Sequence, residues 1–268
     1  MSDTSGARVF AIANQKGGVG KTTTSINLAA CLADAGRRTL VIDLDPQSNT
    51  TTGFGVDSRR VVQSIYELLV NGTPATEVVK SQIRPNLSLI PAKVELYAAE
   101  IELVYIERRE YRLKSALESI QGDFDFVLID CPPSLGLLTV NALTAADGVI
   151  LPLQCEYFAL EGMQQLLNTI RLVRDRKLNP GIQLFGVVMT MFDPSTKLSG
   201  EVAREIQENF PHETFNTLIP RNVRLAEAPS YGQTILEMEA RSPGALAYRQ
   251  LAEEVIARAA AVPAMEAR

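Results

Sequence analysis

The sequence predicts an α/β domain: a mostly parallel, twisted sheet with helices packed on both of its faces. Three observations carry this. Apolar, β-branched runs recur along the chain, and each is near-continuous rather than alternating, as in strands buried on both faces. Segments of helical periodicity follow them, the arrangement of βα units. A glycine-rich segment stands between the first such run and the first such helix. In order, "RVFAIAN" (8–14) is a strand, and the helix after the glycines runs from about Thr22 to Ala35, with Gly36 as its stop. "RTLVIDLD" (38–45) and "LSLIPA" (87–92) are strands. Residues 93–121 form the longest helical stretch, a helix or helix pair, with Leu96, Ala99, Leu103, Ile106, Leu113, Leu117 and Ile120 as its inner face. "FDFVLIDCPPS" (124–134) is a strand cut off by two prolines, and "GVILPLQ" (148–154) and "IQLFGVVMTMFD" (182–193) continue the series. No repeat or linker interrupts it, so residues 1–268 read as one domain with unstructured tails at about 1–7 and 261–268.

Composition narrows the function classes. With 46% hydrophobic and 21% charged residues the chain is an ordinary soluble globular protein. A net charge of −5 gives no overall attraction to nucleic acid or acidic lipid, so any such contact needs a local basic patch. Cys31, Cys131 and Cys155 sit in apolar contexts and are too few for a disulfide framework, which suggests buried thiols and a cytoplasmic home. A single histidine, His212, excludes multi-histidine metal chemistry. No secretory pattern opens the chain and no run of about 18 apolar residues occurs, so no membrane-spanning helix is expected.

The chemistry is concentrated at "KGGVGKTT" (16–23). Between a strand and a helix, Gly17, Gly18, Val19 and Gly20 let the backbone curl so that its N–H groups converge on a phosphate. The helix N-terminus adds partial positive charge. Lys21 reaches the β- and γ-phosphates and the Thr22 hydroxyl ligates Mg²⁺, with Thr23 completing the first turn. The fold class sharpens to a single P-loop NTPase domain. Asp130 ends the strand "FVLID", where a magnesium carboxylate is expected. Asp43 and Asp45 in "DLDPQ" share a face by alternation. One suits the metal shell and the other a water aimed at the γ-phosphate; Asp43 is assigned to the metal and Asp45 to the water.

Together "KGGVGKTT", "DLDPQ", "DCPPS" and "IPRNVRLAEAPSYG" (219–232) resemble the ParA/Soj partition ATPases of the deviant Walker A class, over about residues 8–256. The first motif marks only the class, whereas the last is specific to the partition branch. The resemblance implies an ATP-hydrolysing, Mg²⁺-dependent sandwich dimer on nucleoid DNA, acting with a ParB-type centromere-binding partner that stimulates turnover. It implies that Lys16 crosses the two-fold axis to the partner subunit's nucleotide, an arginine-finger equivalent. It places Pro220 and Asn222 at the adenine edge, and Arg221, Arg224 and Lys197 against DNA phosphates without base specificity. One departure stands out: Ser195 occupies a position where related sequences carry arginine. With the first strand at about Arg8, the short chromosomal type is expected rather than the long plasmid type.

Rival classes fit less well. A MinD-like membrane ATPase needs a C-terminal amphipathic anchor, and the tail "VIARAAAVPAMEAR" is alanine-rich and lacks aromatics. An iron–sulfur reductase subunit needs cysteines at the dimer axis. A metabolic ligase on the same fold needs a substrate pocket that no motif supplies.

Overall fold

The computed structural model describes residues 6–156 and 159–261. The eight strands are β1 (Arg8–Ile12), β2 (Thr39–Asp43), β3 (Lys80–Arg84), β4 (Leu87–Ile90), β5 (Phe126–Asp130), β6 (Gly148–Gln154), β7 (Gln183–Phe192) and β8 (Thr214–Pro220). They form one sheet in the order β3-β4-β2-β5-β1-β6-β7-β8. Every neighbouring pair is parallel except β3–β4. The helices in the first half are α1 (Lys21–Asp34), α2 (Asn49–Gly53), α3 (Ala75–Val78), α4 (Leu96–Glu102) and α5 (Arg112–Leu117). Those in the second half are α6 (Leu137–Ala145), α7 (Ala159–Asp175), α8 (Lys197–Asn209), α9 (Val223–Glu227), α10 (Ile235–Glu239) and α11 (Pro243–Ala261).

Period-two alternation inside the strands builds two cores. On β1, Val9 and Ala11 join one core while Phe10 and Ile12 join the other. On β5, Val127 and Ile129 take the first side and Phe126 and Leu128 the second. The first core carries the inner faces of α4 to α8, and the second is covered by α1 and α11. Strands wrapped on both sides have no solvent face, which is why they read as continuous apolar runs.

The helical stretch 93–121 is a helix pair, one of the two forms expected for it. It breaks where Ile106 turns extended and Arg108 takes φ 52°, leaving α4 and α5, and the longest described helix is α11 with 19 residues. The apolar spacing held because both short helices pack inward: Leu96, Ala99, Leu103 and Leu113 are fully buried. Two strands were missed. β3 is a polar antiparallel edge strand with an irregular register, so it has no apolar run to betray it. β8 interleaves its apolar residues with Thr214, Asn216 and Thr217, so no continuous apolar run marks it. Residues 1–5 and 262–268, where the tails were expected, lie outside the described residues, as does the second half of the tail weighed as a membrane anchor. Ala7 is already buried, with its N–H donating to the Gln121 carbonyl at 3.2 Å. No described helix is long and apolar enough to cross a membrane.

Candidate functional site

All the site motifs meet at the C-terminal edge of the sheet, as open α/β sheets require. The loop after β1 turns through Gly18 (φ +75°) and Gly20 (φ +86°), both in the left-handed region that side chains rarely adopt. Gly17 is different. Its φ is ordinary and a Cβ there would meet nothing within 4 Å, so nothing within this chain requires a glycine. The Thr190 hydroxyl on β7 holds the loop by donating to the Val19 carbonyl at 2.8 Å. Gly20 precedes α1 without capping it by a side chain, so the first-turn N–H groups face outward, ready for an anion.

Lys21, at the first position of α1, is 7% exposed. Its ammonium has three donors, and its hydrogen bond is to the Lys16 carbonyl at 3.2 Å. Burial lowers its pKa, and Asp130, Cys131 and Asp45 oppose that shift in that order. A buried cation so thinly satisfied fits a phosphate.

The strand registers bring the carboxylates together. Asp43 and Asp130 are cross-strand partners at the ends of β2 and β5, and Ile12 flanks Asp130 on the other side. Both carboxyls are fully buried. Asp130 accepts from the Thr22 and Ser25 hydroxyls at 2.9 Å each and from the Thr50 hydroxyl at 2.6 Å. It therefore stands directly behind Thr22 and orients that hydroxyl. Asp43 accepts from Thr51, at 2.7 Å from the N–H and 2.6 Å from the hydroxyl, and from the Asp45 N–H at 3.2 Å. Burial first, and Asp130 second, push Asp43 up to about 7. Burial likewise raises Asp130, against the three hydroxyl bonds. Asp45 lies just beyond β2, nearly buried, and accepts from the Gln47 N–H at 2.9 Å. The described residues contain no cluster of three His, Cys, Asp or Glu side chains that could hold a metal. The donor set instead fits a magnesium ion that arrives with a phosphate: one hydroxyl, carboxylates behind it, and room left for phosphate oxygens.

Lys16 sits at the loop's rim. Its N–H donates to Asn14 Oδ1 at 3.0 Å, and its ammonium pairs with Glu156 at 3.2 Å, both side chains being about 40–50% exposed. An exposed pair of this kind contributes roughly 0–1 kcal/mol, so Lys16 can leave it cheaply. Across the sheet edge, Pro220 ends β8 opposite Phe192, and Asn222 caps α9 by accepting from the Arg224 N–H at 2.8 Å. Both therefore lie on the same edge as the glycine loop.

The basic residues separate. Arg224 bonds Glu227 at 2.8 Å and Glu239 at 3.3 Å, so its charge is largely met locally. Arg249, another basic residue, lies on α11 and pairs with Asp34 at 3.1 Å. Arg221 is exposed and near Asp193, whose carboxyl is lowered first by the Ser195 hydroxyl and only lastly by Arg221. Lys197 opens α8, exposed, two residues past Ser195. Arg221, Ser195 and Lys197 thus share one exposed corner. Sequence reasoning missed Ser25, Thr50, Thr51, Thr190 and Glu156. The first three carried a signal, a hydroxyl at helical spacing after Thr22 and a threonine run after "DLDPQ"; the last two carried none.

A model of the AAA domain matches residues 7–184. The chain is 52% identical to the sporulation initiation inhibitor protein Soj of Bacillus subtilis over 250 residues, 93% of this chain and 98% of that one. It is 50% identical to the chromosome partitioning protein ParA of Caulobacter vibrioides over 253 residues, 94% of each. A solved structure of cobyrinic acid a,c-diamide synthase from Mycobacterium smegmatis, with bound ADP and magnesium, superposes with a TM-score of 0.83. It is 38% identical and covers 97% of this chain and 98% of that one.

Proposed function

The chain belongs to the Soj/ParA family of chromosome-partitioning ATPases, and from that premise we propose that it binds ATP with Mg²⁺ and hydrolyses it as a DNA-bound sandwich dimer. A ParB-type partner and DNA stimulate this turnover. The observation that carries the reading is Lys21 and the Asp130–Thr22 pair beside a glycine loop that no side chain caps. In this reading Gly17 to Thr23 wrap the phosphates, and Pro220 and Asn222 border the adenine. Thr22 ligates the magnesium, with Asp43 and Asp130 behind it. Asp45 orients the attacking water. The protein is cytoplasmic and gathers on the nucleoid. The experiment is sizing with ADP and with a slowly hydrolysed ATP analogue, with and without DNA, alongside turnover. ATP turnover that requires cobyrinic acid and ignores DNA would assign the chain the activity of its structural relative instead.

Lys16 is the trans-acting group. Lys16→Ala is expected to bind ATP within a few-fold of wild type, because Lys21 remains, and to lose about a hundredfold or more in turnover. Gly17→Val is expected to fold and bind nucleotide normally, since its side chain enters open space, yet to block the dimer where two backbones approach. Both are read by sedimentation with the ATP analogue. Monomeric Lys16→Ala that hydrolyses at the wild-type rate removes this lysine from the mechanism.

DNA binding rests on the Arg221–Ser195–Lys197 corner, because the net charge of −5 opposes it elsewhere. Arg221→Ala is expected to weaken binding equally on two unrelated duplexes and to flatten the salt dependence by about two counterions per dimer. Arg224→Ala is expected to do less, its charge being shared with Glu227 and Glu239. Ser195→Arg is expected to strengthen binding. A salt titration with ATP measures all four proteins, and tight binding with ADP alone contradicts the reading.

A further inference from the structure

β7 does not run straight past the nucleotide loop. Three steps on β7, from Met189 to Phe192, match two on β8, from Leu218 to Pro220, so one residue of β7 is extra. That is a β-bulge, and within it Met191 takes φ 51°, in the left-handed region that a methionine rarely adopts. The bulge reverses the strand. Up to it alternation holds, with Val187 and Met189 in the first core and Val188 in the second. Unbroken alternation would send Phe192 to the second side, yet it packs against the first. β6 ends at Gln154 opposite Thr190, so the bulge lies where β7 runs past its inner neighbour.

The residues on either side of Met191 serve two different regions. Before it, Thr190 is buried and its hydroxyl holds the Val19 carbonyl of the phosphate loop at 2.8 Å. After it, the Phe192 carbonyl accepts from the Arg221 N–H at 3.0 Å. The segment beyond is braced as a unit. Asp193 accepts from the Ser195 N–H at 2.9 Å and hydroxyl at 2.6 Å, and Thr196 caps α8 beside Lys197. Bulges next to a site re-aim side chains, and a costly φ persists where the surroundings impose it. We propose that Met191 is a positioning residue for nucleotide binding. Its bulged, left-handed conformation sets Thr190 on the phosphate loop and ties that contact to the Arg221–Ser195–Lys197 corner. The proposal rests on the reading that this corner binds DNA when ATP is bound. Straightening the joint turns Phe192 off its core, carries its carbonyl away from Arg221 and releases Val19. Loop and corner therefore bias one conformational equilibrium, and each ligand strengthens the binding of the other by the same factor.

The test changes the backbone preference at one position. Met191→Ile puts a β-branched side chain where φ is positive and opposes the bulge, whereas Met191→Asn accepts that conformation. Calorimetric titration with a slowly hydrolysed ATP analogue, and anisotropy of a labelled duplex with and without the analogue, are read beside the nucleotide-free melt. Met191→Ile is expected to lose about fivefold in analogue affinity, the worth of one hydrogen bond. It is also expected to lose most of the gain in DNA affinity that the analogue gives wild type. Met191→Asn is expected to restore both. Thr190→Val is expected to lose as much analogue affinity as Met191→Ile, and the double variant no more than either, since one contact is removed once. Additive losses, wild-type analogue affinity in Met191→Ile or Thr190→Val, or failure of Met191→Asn to restore it overturns the proposal. So does a lower melting temperature with both affinities intact, which marks an ordinary packing residue. If Met191→Ile does not fold, Thr190→Val decides, because its analogue affinity and its analogue-dependent DNA binding must fall together. Wild-type DNA binding that ignores the analogue defeats the partition-ATPase reading instead, and the analogue affinities then decide the positioning role by themselves.

Discussion

Lys21→Ala is expected to abolish the rise in melting temperature that MgATP gives the wild-type protein, while leaving the nucleotide-free melting temperature unchanged or slightly higher. The two halves have one cause. Without a ligand, Lys21 is a buried ammonium bonded to the Lys16 carbonyl, and burial already pushes its pKa down. Its folded pKa lies below its unfolded one, so this group opposes folding at neutral pH and the cost is relieved as pH rises through the folded value. Removing it does not destabilise the empty fold. In the proposed ATP complex the same ammonium lies among phosphates, where charge-assisted hydrogen bonds contribute about 1.5–3 kcal/mol each. Two such bonds correspond to roughly a hundredfold or more in affinity, which removes most of the stabilisation that saturating ligand supplies. Thermal melts with and without MgATP, and calorimetric titration, measure both. ATP affinity within about threefold of wild type would sink the phosphate-loop assignment.

Why the glycine loop was legible and the hydroxyl shell was not has a physical answer. A loop that wraps a phosphate needs φ > 0 at Gly18 and Gly20, and needs a lysine and a threonine at the helix start, so the constraint is local and written in consecutive residues. Strands such as β6 were legible for a similar reason, since burial on both faces admits only apolar residues. Ser25 and Thr50 act through Asp130, 105 and 80 residues away in the chain, and only the registers of β1 and β2 on either side of β5 bring them there. The Lys16–Glu156 pair is likewise a product of topology, because β6 lies beside β1. The motif "IPRNVRLAEAPSYG" located Arg221 and Arg224 and held Glu227 three residues past Arg224, but the second glutamate that engages Arg224, Glu239, depends on how α10 folds back on α9. The spacing across residues 93–121 fitted one helix or a pair and did not choose between them. Apolar spacing records which side faces the core and is silent on backbone continuity between two short helices sharing that core.

The acidic pair separates into two roles that substitution can tell apart. Asp43 is fully buried at the end of β2, and its three hydrogen bonds tie that strand to α2 through Thr51 and to Asp45 two residues on. Asp43→Ala strands the Thr51 N–H and is expected to cost about 1–3 kcal/mol of stability, which confuses a structural with a catalytic effect. Asp43→Asn keeps the shape and an acceptor for Thr51 but removes the charge, so it is expected to fold normally and to lose Mg²⁺-dependent affinity. Asp45 has a lighter structural task, since its carboxylate accepts the Gln47 N–H alone, and it lies one step nearer the loop mouth. Asp45→Ala is therefore expected to retain ATP affinity within a few-fold and to form the ATP-bound dimer. Its hydrolysis is expected to fall by about a hundredfold or more, the typical worth of a positioned proton acceptor. Single-turnover hydrolysis and nucleotide titration at fixed and zero Mg²⁺ separate the outcomes. On the proposed role of Asp45, its loss lets ATP persist and the dimer with it, so Asp45→Ala is expected to stay on DNA after wild type has dissociated. Normal hydrolysis in Asp45→Ala, together with its loss in Asp43→Asn, would show that the carboxylate nearer the strand, at the heart of the Thr51 network, is the one that directs the water.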